Sequence, residues 1–600
     1  MIKRSINYSL IFITIACAIL MLGYYIFNVN KGYNLLDEGF YLLSGANPAD
    51  THEQLSSFNS YLHVFMIFSK NIIFLRLSML ILNTASIFLL AFACTKIISG
   101  KSVSEKRATL LLMVASMITI SAIAFMFPAE PNYNTLTVLG STIYSSLLIL
   151  LLTADRTRHN NMQLFLLGFV AIFVFFNKFS TGLILIFLAF IAYSLNSIKI
   201  RHFSLRGLLS LIAGLSCHLF IYFSLLQSWP LFLSSYKAGL LSMKILQSNH
   251  NILNLLQLYC QQFQDLLKFT YNRYQFIIYT FVIILLLRPI SLFSRLWILR
   301  GIISYGMLIT FLVLSYSIGN YWESEHSIRL SSFYLFGLLL MCLVWLTYFN
   351  FKQLKKPNFK NMIHCLLFIM LFLLPFIVAL GTNNAIYTQI LLSCFAWMPI
   401  YIFFSLLNSK VIGKTFTYFG VAGISILSLH YAIYSLKEMP YGLYGNLSAQ
   451  KQLTTVNDTE LYLDQTSKYI IDNTRNQLEK CGFKANDYLI SLTDVPGLTY
   501  AVKARSPACP WYFGIYPGSK EFAKFCLSLS ENHNAFVLLD SYNGQIPDFS
   551  ENKLGEYFKD FSKKYIQCGE IKNISVQGGT CCKVPISNIK IFKLRENTAP

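Results

Sequence analysis

Charge is what this sequence has least of. Only 12% of its 600 residues are charged, where soluble domains carry about 25%. Hydrophobic residues make up 55%, and the mean hydropathy is +0.52. This excludes an ordinary soluble protein and points to a polytopic membrane protein. Other absences narrow the function. No G-x-G-x-x-G pattern is present, so the chain carries no fingerprint for a soluble nucleotide. No paired C-x-x-C spacing appears among its 13 cysteines, which makes a zinc site the lesser reading for them. No internal sequence repeat is evident, which weakens an inverted-repeat transporter.

Counting apolar runs by length gives about thirteen spans. They lie near 8–28, 74–98, 108–127, 135–153, 162–177, 180–198, 207–228, 273–288, 301–318, 330–349, 361–380, 388–407 and 416–435. The first run, Tyr8 to Phe27, follows Lys3 and Arg4 and lacks a small-residue cleavage pattern, so it reads as an uncleaved span. The net charge of +21 suggests nucleic acid until its distribution is read. Twenty Lys and Arg fall at the N-terminus and in alternate connections, opposed there only by Glu105 and Asp155. That asymmetry fixes topology and implies no nucleic-acid partner. It places the loops at 29–73, 229–272 and 319–329, and everything after 436, on the outer face.

Among the outer connections the first holds the chemistry. Lys31 to Tyr41 sets Asp37 and Glu38 side by side just beyond the first span, followed by Gly39. Carboxylates at that depth lose hydration and need a reason to be there. One reading is a catalytic acidic pair at the mouth of a membrane cavity. The other is a polar loop in which Asp37 caps a short helix starting near Glu38. Residues 58–68 read as an amphipathic helix lying in the interface. Arg76 enters the second span, where an Arg either snorkels to the surface or binds an anionic headgroup.

The remaining outer connections add candidate substrate ligands. Glu130, Asn132 and Tyr133 lie beside Pro128 and Pro131 in a rigid turn. Lys178 suits a phosphate and equally suits an ordinary interfacial position. Residues 229–272 form a candidate lid. Glu323, His326 and Arg329 cluster in one loop, with Glu323 and His326 sharing a helical face. They are candidates for sugar hydroxyls, a phosphate or, with too few ligands, a divalent metal. Asn383 and Asn384 offer amides to a sugar. His218, His364 and His430 read as satisfied buried residues within spans.

From about 437 the composition turns polar and mixed in charge. Apolar runs at 488–492, 535–539, 565–568 and 589–594 alternate with helical patterns at 467–480 and 521–528, as in a small α/β or α+β domain. Cys481, Cys509, Cys526, Cys568, Cys581 and Cys582 imply up to three disulfides in an oxidising compartment.

About thirteen spans, an acidic pair after the first, and an outer C-terminal domain together resemble the GT-C class of membrane glycosyltransferases. The layout is similar to the bacterial lipid A aminoarabinose transferases and the protein O-mannosyltransferases. The resemblance implies a GT-C-like domain over 1–436, a disulfide-containing extracytoplasmic domain over 437–600, and a bacterial inner membrane with the site facing the periplasm. It implies a polyprenyl-phosphate-linked sugar donor, a lipid, glycan or protein acceptor, and contact with membrane lipids. It also implies Asp37 as the catalytic acidic residue, with Glu38 second. Arg76 and Lys178 are the donor-phosphate ligands suggested by location. No cofactor is required by the pattern beyond the divalent metal already raised. An O-antigen polymerase or ligase and a lipid-linked glycan transporter are the other open classes. The first usually relies on later loops rich in Arg, and the second needs charges lining a mid-membrane path.

Overall fold

The computed structural model describes residues 2–51, 56–98, 102–122, 129–154, 160–200, 204–245, 252–287, 297–316, 324–348, 359–382, 384–407, 414–438, 440–493, 495–507, 509–510, 518–529, 534–540, 560–572 and 588–595. It is mostly helical, with a small sheet near the C-terminus. The first half runs α1 (Ile2–Asn28), α2 (Asp37–Ala46), α3 (Phe58–Phe68), α4 (Ile72–Ile97), α5 (Val103–Ser121), α6 (Tyr133–Thr153), α7 (Asn160–Asn177), α8 (Phe179–Ile200) and α9 (Leu205–Ile221). The second half of the helical part holds α10 (Trp229–Ile245), α11 (Ile252–Leu287), α12 (Trp297–Tyr316), α13 (Ser324–Tyr348), α14 (Phe359–Ala379), α15 (Ile386–Ile390), α16 (Met398–Leu407) and α17 (Lys414–Glu438).

Among the described residues, eight helices are long and apolar enough to cross a membrane. Three of the five expected runs that are not among these eight take another form. The run at 273–288 is the second half of α11, a single helix of 36 residues that begins in the connection read as a lid. The run at 388–407 is broken into α15, a turn, a 3-10 segment at Cys394–Trp397 and α16. The run at 108–127 begins earlier, at Val103, because Ser102 and Glu105 form a capping box there. Three charged residues, Glu105, Lys106 and Arg107, therefore sit among its first five residues. Of the three histidines, His218 is buried with Nε2 against the Tyr61 hydroxyl at 2.7 Å. His430 is exposed, its ring stacked on Tyr316 at 5.6 Å.

The C-terminal region opens with a hairpin of β1 (Gln452–Val456) and β2 (Thr459–Leu463), which the sequence reading did not include. Its two-residue turn has Asn457 at φ +54°, a left-handed position Asn tolerates. Next come α18 (Gln465–Lys480), β3 (Tyr488–Leu492), α19 (Pro496–Ala501), α20 (Ser519–Leu529), β4 (Ala535–Asp540), α21 (Phe561–Lys564), β5 (Tyr565–Ile571) and β6 (Ile589–Leu594). The sheet order is β3-β4-β6-β5, with β3 and β4 parallel and the other pairs antiparallel. The four apolar runs of the sequence are these four strands.

Two disulfides close this region, Cys481–Cys568 and Cys509–Cys526. Cys581 and Cys582, candidates for a third, lie outside the described residues. Four cysteines read as thiol ligands under the zinc alternative are thus cross-linked instead.

Three apolar cores organise the molecule. One fills the helical bundle. A second lies on one face of the sheet, between β3, β4, β6 and α20. The third joins the two parts. It packs Tyr33, Leu35, Phe40 and Leu62 of the connection between α1 and α4 with Leu461, Ile470, Leu489 and Leu498 of the C-terminal region. Burying apolar surface at about 25 cal/mol per Å² fixes the two parts against one another. Cys481–Cys568 spans 87 residues of sequence, and closing so long a loop stabilises by about 4.6 kcal/mol in the chain-entropy model. Replacing both cysteines by serine should lower the unfolding midpoint of the C-terminal region clearly. An unchanged midpoint by calorimetry would show that the bridge does not restrain the unfolded chain.

Candidate active site

The acidic loop is shaped by Asn34. Its backbone N–H donates to Glu38 Oε2 at 3.1 Å, and its Oδ1 accepts from Leu36 N at 2.8 Å. Its carbonyl accepts from Gly39 N at 2.9 Å. These bonds start α2 at Asp37 with Leu36 as the N-cap residue and no side-chain cap. Asp37 is therefore not the cap that the alternative reading required. Its half-buried carboxylate accepts from the Tyr441 hydroxyl at 2.6 Å, across 404 residues of sequence.

Glu38 is held differently. It is 2% exposed and forms a bidentate ion pair with Arg76, itself 8% exposed. Arg76 Nε donates to Oε1 at 2.8 Å and Nη2 to Oε2 at 2.7 Å. The same guanidinium donates to Val29 O at 2.6 Å and Gly32 O at 2.9 Å. Arg has five N–H donors, and four are engaged here. The residue expected to bind an anion, or to snorkel, instead joins α4 to the end of α1 and to the acidic loop. Its charge is neutralised by Glu38.

A crevice of about 90 Å³ opens above this pair. Tyr25, Lys31, Asn34, Glu38, Arg76 and Tyr441 line it. That is room for a few waters at about 30 Å³ each, or for one reacting group rather than a whole sugar. Asn34 Nδ2 is buried and unpartnered in it. The Lys31 ammonium lies 5.4 Å from the centre of the Phe27 ring. Glu130 is fully buried behind the crevice wall formed by Ala129. Its Oε1 accepts from Asn132 Nδ2 at 3.3 Å, and its Oε2 has no partner. Burial first, then the neighbouring charge of Glu38, pushes its carboxyl well above the usual range. Both causes favour the protonated form of Glu130.

The other expected ligands fall elsewhere. Asn132 caps α6: its side chain accepts from Asn134 N and Thr135 N, while Thr135 Oγ1 accepts from Asn132 N. The Tyr133 ring packs edge-on against Tyr41 at 5.8 Å, beneath α2. Lys178 is buried between α7 and α8, and its Nζ donates to Val378 O at 2.5 Å. Thr181 and Ser180 donate beside it to Ile377 O and Leu380 O. Lys178 thus helps to close the C-terminal end of α14. Arg329 is half-buried in α13 and Asn384 is exposed before α15. Glu323, Asn383 and the side chain of His326 lie outside the described residues. Among the described residues no cluster of three His, Cys, Asp or Glu could hold a metal. The structure thus brings Asp37, Glu38, Arg76 and Glu130 together, and adds Lys31, Asn34 and Tyr441, which the sequence reading did not select.

No protein-family model matches the sequence, and no curated protein does. Among solved structures, the oligosaccharyltransferase of Archaeoglobus fulgidus in complex with zinc and sulfate is similar to this chain. The identity is 11% and the TM-score 0.43, over 89% of this chain and 68% of that one. A likeness so loose assigns no residue a role.

Two outcomes follow from these contacts. Glu38→Gln leaves the Arg76 guanidinium buried without a counter-charge, so it should destabilise by about 3–5 kcal/mol. Asp37→Asn keeps an acceptor for Tyr441 and should cost far less. Equal losses in thermal unfolding would contradict the separation of roles. Lys178 gives a pH signature. Burial lowers its ammonium from the ordinary 10.5 to about 7. Below pH 7 both folded and unfolded chains hold the proton, and the folded protein bears the full cost of burying it. Between pH 7 and 10.5 the unfolded chain holds more protons, so stability rises with pH, by about 1.4 kcal/mol per pH unit. The unfolding midpoint should therefore climb from pH 7 to 9 relative to Lys178→Met. Parallel curves for the two proteins would refute it.

Proposed function

We propose that this protein is a membrane glycosyltransferase. It moves a sugar from a polyprenyl-phosphate-linked donor to a hydroxyl or amine of a lipid, glycan or protein acceptor, on the outer face of the membrane. The observation that carries this reading is the unequal treatment of two adjacent carboxylates. Glu38 is locked into a buried ion pair, while Asp37 stays half-buried and accepts from Tyr441, a residue of the crevice wall.

Glycosyl transfer from a lipid phosphate needs few parts. The acceptor must lose a proton, and the departing phosphate must be steadied. Asp37 takes the proton from the acceptor O–H or N–H as its oxygen or nitrogen bonds to the anomeric carbon. The bond from that carbon to the phosphate oxygen breaks, and the electron pair leaves with the phosphate. Tyr441 orients the Asp37 carboxylate. Glu38 and Arg76 fix the loop that carries it, so that no reorganisation is needed during reaction. Lys31 is the cation at the crevice whose charge can meet the phosphate, since Arg76 is already neutralised. The apolar helices around the crevice suit a lipid-borne donor, and the absence of a nucleotide fingerprint agrees with it.

Purified protein with labelled polyprenyl-phosphate sugars and a membrane lipid extract tests the reading. Asp37→Asn should lower turnover by about 10²–10⁴-fold, with donor binding and unfolding midpoint near wild type. Turnover within a few-fold of wild type would remove Asp37 as the base.

A further inference from the structure

We infer that the C-terminal α/β region is a working part of the acidic site, and that Gly497 is the positioning residue through which it acts. This rests on the reading of Asp37 as the base. The helix that carries Asp37 and Glu38 meets α19 backbone to backbone. Gly497 N donates to Leu35 O at 2.8 Å, and the Tyr33 hydroxyl donates to Gly497 O at 2.9 Å. One residue of the C-terminal region thus holds both Tyr33 and Leu35, which lead into the acidic pair.

The contact leaves no space for a side chain. A Cβ on Gly497 would sit 2.7 Å from Leu35 O and 2.8 Å from Leu35 Cα. A Cβ on Gly39 would sit 2.1 Å from Gly497 Cα. Neither glycine has the positive φ that would itself demand glycine. Both lie in helices, where alanine is favoured by about 1 kcal/mol. What requires glycine at both positions is the approach of the two backbones.

The same region grips the rest of the loop. Tyr462 O accepts from Gly32 N at 2.8 Å, and Tyr462 N donates to Asn30 O at 2.9 Å. Thr459 Oγ1 accepts from Ile72 N at 3.0 Å, one helical turn before Arg76. Arg505 forms a bidentate pair with Asp50 at 2.9 and 2.8 Å. The segments that bear Glu38, Arg76 and the two carbonyls bound by Arg76 are therefore each tied to the C-terminal region. Displacing Gly497 moves the loop that carries Asp37 and Glu38.

The test uses the full chain. Gly497→Ala is read by amide hydrogen exchange and by sugar transfer from labelled polyprenyl-phosphate sugars. The expected result is faster exchange over residues 33–45, with protection of the strand at 488–492 retained. Transfer should fall about 10- to 100-fold in kcat, as about 1 Å of misplacement can cost, with the KM for donor little changed. Gly39→Ala should reproduce both effects from the other side of the contact. Gly306→Ala, whose Cβ meets nothing within 4 Å, should leave both at wild type. Should the alanine variants fail to fold, Tyr33→Phe adds no atom and removes one hydrogen bond to Gly497. It should speed exchange over 33–39 and lower kcat several-fold. Wild-type exchange over 33–45 in a folded Gly497→Ala protein, or over 33–39 in Tyr33→Phe, overturns the proposal. If the wild-type protein shows no transfer, the glycosyltransferase reading fails, while the exchange arm still decides the positioning role.

Discussion

The pairing of Glu38 with Arg76 is the interaction on which the site depends. Both groups are almost wholly removed from water, where an isolated charge costs several kcal/mol. The geometry offsets that cost by two short charge-assisted bonds, and the carbonyls of Val29 and Gly32 take two further guanidinium donors. A buried ion pair is seldom a net source of stability, but breaking one is costly, so it specifies a single arrangement strongly. Here the arrangement brings together the end of α1, the acidic loop and the second turn of α4. Asp37 acquires its position because its neighbour cannot move.

In the proposed reaction this division gives the two adjacent acids different tasks. Glu38 supplies order, and Asp37 remains half-buried beside a crevice. Glu130 lies buried nearby, where burial and the charge of Glu38 favour its protonated form. The shared apolar core beneath these residues extends the order to the C-terminal region. The loop is thus fixed from below by Arg76 and from the side by Gly497.

Much of the fold was legible in the sequence. Apolar length marked the helices, and short apolar runs marked the four strands of the C-terminal sheet. The acidic pair stood out because charge is so scarce around it. What escaped was long-range. Tyr441 reaches Asp37 across 404 residues, and no local pattern announces that. Arg76 was visible as an intramembrane charge, but its partner was not, because a carboxylate 38 residues away and an anionic headgroup satisfy the same rule. The partners that Lys178 and Asn132 have here answer a simpler need. Helix ends need partners for their backbone groups, and a polar residue beside a helix end often meets that need first. The hairpin at 452–463 lacked a strong apolar signal, since alternate residues of β1 and β2 face outward.

The central claim is that Glu38 and Arg76 act as one unit while Asp37 stands apart from it. A double-mutant cycle on unfolding free energy measures this directly, using Glu38→Gln, Arg76→Gln and the pair. Coupled residues in direct contact show interaction energies of about 0.5–3 kcal/mol. The account predicts that the double variant is less destabilised than the sum of the singles by at least that much. A parallel cycle of Asp37→Asn with Arg76→Gln should be additive within about 0.5 kcal/mol. Additivity between Glu38 and Arg76, or strong coupling between Asp37 and Arg76, would contradict the account.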